Sequence, residues 1–182
     1  MERKLTAILA ADVAGYGRLT AADEAGTRNA LRTIREIVER LVAAHRGLVL
    51  QGDDRSFLAE FPGAVEAINC AVDIQQEIDE RNEAVPKDER IALRIGLHVG
   101  DAAAEVATSL RELAAPGGIC VSRTVHDQVR HKVGVAFEYA GRHRAGTVAE
   151  PVPTYRVLID ATAAPRLTRW WHAIRHPGRR RS

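Results

Sequence analysis

Cysteine is nearly absent from this chain, with two in 182 residues, and no metal-ligand spacing surrounds either of them. That excludes a disulfide scaffold and a zinc module. Cys70 lies on an apolar helical face and Cys120 within Ile119-Cys120-Val121, so both read as buried thiols in a reducing, cytoplasmic setting. No apolar run is long enough to span a bilayer. Met1-Glu2-Arg3-Lys4 leads straight into a strand pattern, so no secretory signal is expected. There is no internal repeat, low-complexity tract or linker before residue 160.

The chain does have enough apolar residues, 46%, to bury a core of one domain, and an uneven charge. From Arg166 to Arg181 there are six arginines and no acid. Residues 1–165 therefore hold 20 basic and 24 acidic side chains, a net of −4 against +2 for the whole. A mildly acidic body (1–160) and a basic tail (161–182) is the expected division.

Apolar periodicity supplies the elements. Leu5 to Ala11 reads as a buried strand. A long helix opens at Asp23-Glu24, with Leu31, Ile34, Val38 and Leu41 on one face, and ends at Gly47. Leu48-Val49-Leu50 and Phe57 to Phe61 read as a hairpin turning through Gly52-Asp53-Asp54-Arg55. Pro62 starts a helix with Val65, Ile68, Val72, Ile74 and Ile78 inward. Ile91 to Val99 alternates as a strand. Short helices are expected over Glu105–Ala115 and Thr124–Val129, and strands over Ile119–Val121, Val135–Tyr139 and Thr154–Leu158. The opening order is the split β-α-β-β-α-β arrangement, which predicts an α+β, ferredoxin-like sheet with helices packed on one face.

The first strand ends in Ala10-Ala11-Asp12-Val13-Ala14-Gly15-Tyr16, where a carboxylate precedes Gly15 and Gly17. A strand-end carboxylate beside backbone that can approach a ligand closely suits a metal–phosphate site. The plainer alternative is a turn aspartate capping the next helix.

Several blocks together resemble the class III nucleotidyl cyclase domains of the bacterial type. They are the Asp12 stretch, Asp23-Glu24-Ala25-Gly26-Thr27, Ala59-Glu60-Phe61-Pro62, Ala67 to Val72, Arg94-Ile95-Gly96-Leu97-His98-Val99-Gly100-Asp101, Pro116 to Ser122, and Tyr155-Arg156-Val157. They run in order over roughly residues 3–158. The resemblance implies a reaction in which two aspartates hold a pair of Mg or Mn ions over a nucleoside triphosphate. A partner subunit supplies an asparagine and an arginine, so sites form across a head-to-tail dimer. Asp12 matches the first metal aspartate.

At other positions the chain departs from that pattern. Counting back from Phe61 and forward from Gly47 both place Arg55 where the second metal aspartate belongs, with Asp54 its neighbour. A one-residue slip would turn a strand side chain to the wrong face. The purine-selecting lysine position falls on Gln51, and the segment after Gly100-Asp101 is shortened. Aligned back from Pro116, Glu105 stands for the asparagine and Ser109 for the arginine. The alternative for these two is an ordinary solvated helix face. Arg55 is expected to pair with Asp12, Asp54 or both, replacing metal charge with guanidinium charge.

The sequence thus predicts a catalytically inactive cyclase-homology domain that requires no cofactor. It would act as a dimerising or regulatory module in cyclic-nucleotide signalling, as a homodimer or beside a related domain, with room for weak nucleotide binding. One alternative is an active adenylyl cyclase converting ATP to cyclic AMP and pyrophosphate. Another is a membrane-surface adaptor: Leu167, Trp170, Trp171 and Ile174 share a helical face flanked by Arg166, Arg169 and Arg175, which suits the anionic inner surface of a membrane. No nucleic-acid reader fold is recognisable, so nucleic acid is disfavoured as a partner.

Overall fold

The computed structural model describes residues 6–159. Its elements are β1 (Ala7–Val13), α1 (Tyr16–Ala22), α2 (Glu24–Ala44), β2 (Leu48–Gly52), β3 (Ser56–Phe61), α3 (Ala64–Asn82), β4 (Leu93–Val99), α4 (Ala103–Leu113), β5 (Ile119–Ser122), α5 (Arg123–Val129), β6 (Ala136–His143) and β7 (Val152–Leu158), with a 3-10 turn at Lys87–Glu89. The seven strands form one sheet in the order β2-β3-β1-β4-β5-β7-β6. Only β4 and β5 pair in parallel.

Strand alternation explains the layers. On β1, Leu9, Ala11 and Val13 join the main core with Leu31, Ile34, Val38, Ile68, Ile74 and Ile78 from α2 and α3, while Val125 and Val129 add α5 to it. The intervening Ile8 and Ala10 turn to the opposite face and pack on Ala107 of α4. Among the described residues the sheet therefore carries one helix, α4, on its second face, a feature that helical periodicity alone does not reveal. That helix comes very close. A Cβ on Gly96 of β4 would lie 2.2 Å from the Ala107 carbonyl oxygen and 2.3 Å from the Arg111 nitrogen.

The helix opening at Asp23-Glu24 is α2, capped by the Asp23 carboxylate accepting from the Gly26 N–H at 3.0 Å. A shorter helix, α1, precedes it over Tyr16–Ala22, a stretch to which the sequence pattern assigned no element. Its N-cap is Gly15, with φ 66°, and Gly17 is tolerated inside it. Helix α3 begins at Ala64, two residues after the expected start at Pro62. Strand β6 runs on to His143 across a register shift between Tyr139 and Arg142.

Among the described residues, no helix is long and apolar enough to cross a membrane. The tail residues Leu167, Trp170, Trp171, Ile174, Arg166, Arg169 and Arg175 lie outside the described residues, as does the expected boundary at 160/161.

Candidate functional site

Asp12 sits at the end of β1 on the sheet face that α4 covers. Its neighbour across the β1–β4 ladder is Arg94. The guanidinium grips the carboxylate with two bonds, Nε to Oδ1 at 2.9 Å and Nη2 to Oδ2 at 2.6 Å. Arg111 reaches down from α4 to within 3.4 Å of Oδ2. The three side chains are only 17%, 29% and 17% exposed for Asp12, Arg94 and Arg111, so the charges are partly withdrawn from water. The paired carboxylate raises the Arg94 pKa, chiefly through its hydrogen bond. Asp12 does not cap a helix; it is the shared counter-charge of two arginines.

On the other side of β1 the ladder pairs Asp12 with Ser56, and the Val13 N–H donates to the Arg55 carbonyl at 2.8 Å. The backbone at residue 55 thus adjoins the Asp12 end of β1. The expected Arg55 ion pair is not made, however. Its guanidinium lies over the Tyr16 ring, 5.1 Å from the centroid, and among the described residues it bridges neither Asp12 nor Asp54. Tyr16 offers an aromatic face, and Asp12 is already occupied by Arg94 and Arg111. The guanidinium charge beside Asp12 is present, but from two residues that sequence counting missed. A signal for one of them was there: Arg94 alternates with Leu93 and Ile95 and so falls on the opposite face of the sheet, the face of Asp12.

The acids of the hairpin turn are no substitute for a ligand. Asp53 accepts from the N–H groups of Arg55 and Ser56, each at 2.8 Å, and from the Ser56 hydroxyl. The Arg55 N–H bond leads in holding the Asp53 carboxyl below the usual range. Asp54 is exposed beside Tyr16 and Arg28. Gln51 is exposed on edge strand β2, next to a register shift.

Glu105 and Ser109 lie one turn apart on α4 and both engage the loop between β6 and β7. Ser109 Oγ accepts from the Gly146 N–H at 3.0 Å; Glu105 Oε2 accepts from the Thr147 N–H at 3.2 Å and its hydroxyl at 3.0 Å. The loop has little freedom there. A Cβ on Gly146, whose φ is +57°, would meet Glu105 Cβ at 2.8 Å. Ala145 is fully buried against Val106, Leu110 and Cys120, in a small second core. These two positions are therefore not a freely solvated helix face.

His98 and Ser122, on the parallel pair β4 and β5, share a buried hydrogen bond of 2.7 Å between Nδ1 and Oγ. Burial holds His98 below the ordinary imidazole pKa. Burial likewise raises the Cys70 thiol, and pushes Cys120 up to about 11, so neither is a ready nucleophile.

Together, the seven-stranded sheet, its flanking helices and a strand-end aspartate facing a helix across the second face define a nucleotidyl cyclase type of domain. No family model matches the sequence. A crystal structure of an adenylate/guanylate cyclase/hydrolase from Silicibacter pomeroyi is similar at 34% identity and a TM-score of 0.77, covering 88% of this chain and 100% of that one. The putative adenylate cyclase 3 of Rhizobium meliloti is 36% identical over 163 residues, 84% of this chain, and the chain spans 28% of that relative's length. The adenylyl cyclase CyaB of P. aeruginosa shares the fold, with a TM-score of 0.74 at 15% identity, covering 86% and 95%. The chain belongs to the class III nucleotidyl cyclase family.

The two divalent ions of that family's reaction do not fit the residues present. The position that sequence counting assigns to the second carboxylate is Arg55, and the first carboxylate is held by two guanidinium groups. A unit charge at about 4 Å is worth roughly 4 kcal/mol at an effective dielectric near 20, so a nearby guanidinium opposes a divalent ion strongly.

Proposed function

We propose that this chain is a cyclase-homology domain that has kept the fold and lost the reaction, and that it acts as a dimerising or regulatory module in cyclic-nucleotide signalling. The single observation behind this reading is that both half-sites are taken up by internal contacts. The metal half, Asp12, neutralises Arg94 and Arg111. The partner-donated half, Glu105 and Ser109, holds the chain's own loop at Gly146 and Thr147. In neither role could the chain complete a site across a dimer. Pairing with a second copy or a related domain, through residues 1–160, is the activity the family fold leaves open, and weak nucleotide binding without turnover is compatible with it.

Assay of cyclic nucleotide from ATP and GTP, with Mn²⁺ and with Mg²⁺, on protein of known oligomeric state tests this reading. No product above background is expected. Metal-dependent product would restore the adenylyl cyclase reading that the relatives' names suggest. The basic tail, 161–182, is a separate proposal: residues 166–176 should become helical on anionic vesicles and bind less as salt rises. Unchanged tryptophan fluorescence on adding such vesicles at low salt would remove it.

A further inference from the structure

Where β7 ends, a groove of about 310 Å³ is lined by apolar residues alone. Pro116, Gly117 and Gly118 come from the turn into β5, and Val157, Leu158 and Ile159 from the end of β7, the strand paired with β5.

The turn is held by its backbone. The Gly117 N–H donates to the Leu93 carbonyl at 2.9 Å and the Gly118 N–H to the Ala115 carbonyl at 2.8 Å. The Gln75 amide donates to the Gly118 carbonyl at 3.0 Å. A Cβ on Gly117, whose φ is +80°, would meet nothing within 4 Å, so the turn has open space beside it. Val157 faces the main core, and alternation turns Leu158 to the other face, where it is 46% exposed. An aliphatic side chain open to water beside an apolar groove favours apolar cover.

Chain connectivity selects the occupant. Ile159 lines the groove and is the last described residue, so the segment that follows starts at the groove itself. That segment carries Leu167, Trp170, Trp171 and Ile174 at the spacing of one helical face. Leu167 is eight residues past Ile159, a reach of up to about 26–29 Å, which is ample for turning back. A tether this short gives an effective concentration on the order of millimolar, so a contact too weak for separate partners suffices. Residues 1–165 carry a net −4 and the stretch from Arg166 to Arg181 six arginines without an acid, so body and tail attract.

We propose that, in lipid-free solution, residues 160–182 fold back on their own domain and seat the Leu167, Trp170, Trp171 and Ile174 face on this groove, covering Leu158. The tail is then a strap across the end of the β5–β7 pair, and its apolar face reaches a membrane only by leaving the groove. The inference rests neither on the loss of cyclase activity nor on vesicle binding.

The chain has two tryptophans, Trp170 and Trp171, so intrinsic indole emission reports on the tail alone. Emission and acrylamide quenching of the full chain in lipid-free buffer test the proposal. The native emission should lie to the blue of the urea-unfolded chain, with weaker quenching. Leu158→Lys should shift it back to the red and restore quenching. Leu48→Lys, at an equally exposed leucine on β2 at the opposite edge of the sheet, should change neither. Should Leu158→Lys fail to fold, Leu158→Ala should give a smaller red shift in the same direction. Native emission and quenching equal to those of the unfolded chain would overturn the proposal by leaving the groove bare. A folded Leu158 variant identical to the native chain would overturn it by placing the tail elsewhere. A blue shift that fades on dilution would overturn it in favour of a second copy as the tail's partner.

Discussion

Asn in place of Asp12 should destabilise the fold by about 1–3 kcal/mol, because Arg94 and Arg111 would be left in a half-buried place without a counter-charge. The range is set below that of a fully buried pair because the three side chains keep some exposure. A carboxylate kept only for metal behaves differently: removing it commonly leaves stability unchanged or raised. Urea unfolding of the Asp12→Asn variant distinguishes the two, and a gain in stability would contradict the ion-pair role. His98 offers a second residue-scale check. Its folded pKa lies below the unfolded value of 6.5, so the unfolded chain takes up the proton first. Stability attributable to His98 is complete above that value and declines as pH falls through it toward the folded pKa. Thermal midpoints measured between about pH 7.5 and 5 should fall for the native chain and fall less for His98→Asn. Parallel curves would remove His98 as the cause. The sequence revealed the positions of these residues better than their partners. Asp12 and Arg55 could be placed by counting along strands, but Arg111 lies 99 positions from Asp12 in the chain, and only the packing of α4 brings them together.

At the scale of elements, α4 decides what the second face of the sheet can do. Gly96→Ala should cost roughly 2–4 kcal/mol, since the added methyl would strike helix backbone that cannot swing aside. The loss should appear in denaturant unfolding, and a neutral result would mean that α4 is not seated on β4 as described. Most elements were legible because their apolar faces repeat at 3.6 or 2 residues: the α2, α3 and β4 patterns coincide with buried positions. Two features were not. Helix α1 carries Gly17 and only one buried residue, Leu19, so it has no periodic stripe to read. The side of the sheet on which α4 lies is set by a close backbone approach at a glycine, which composition and periodicity do not encode. The capture of the loop at Gly146 and Thr147 by Glu105 and Ser109 also escapes sequence reading, because it joins segments 37 and 42 residues apart by polar contacts.

For the whole molecule, the proposed function treats the losses as complementary: on that reading the metal half and the partner-donated half fail for separate reasons, so repairing one should not restore the reaction. Arg55→Asp would return a carboxylate beside Asp12, and metal affinity could improve. Glu105 and Ser109 would still stand where an amide and a cation are needed. Removing one transition-state donor typically costs on the order of 10²–10³ in rate, and under the proposed assignment two are gone with an anion added. The most direct measurement is therefore metal-dependent cyclic nucleotide formation by the Arg55→Asp chain alone, at known oligomeric state, with ATP and GTP. The account predicts no turnover above background in either metal. Robust product from that single variant would show that the donor half is intact, and would contradict the assignment of Glu105 and Ser109.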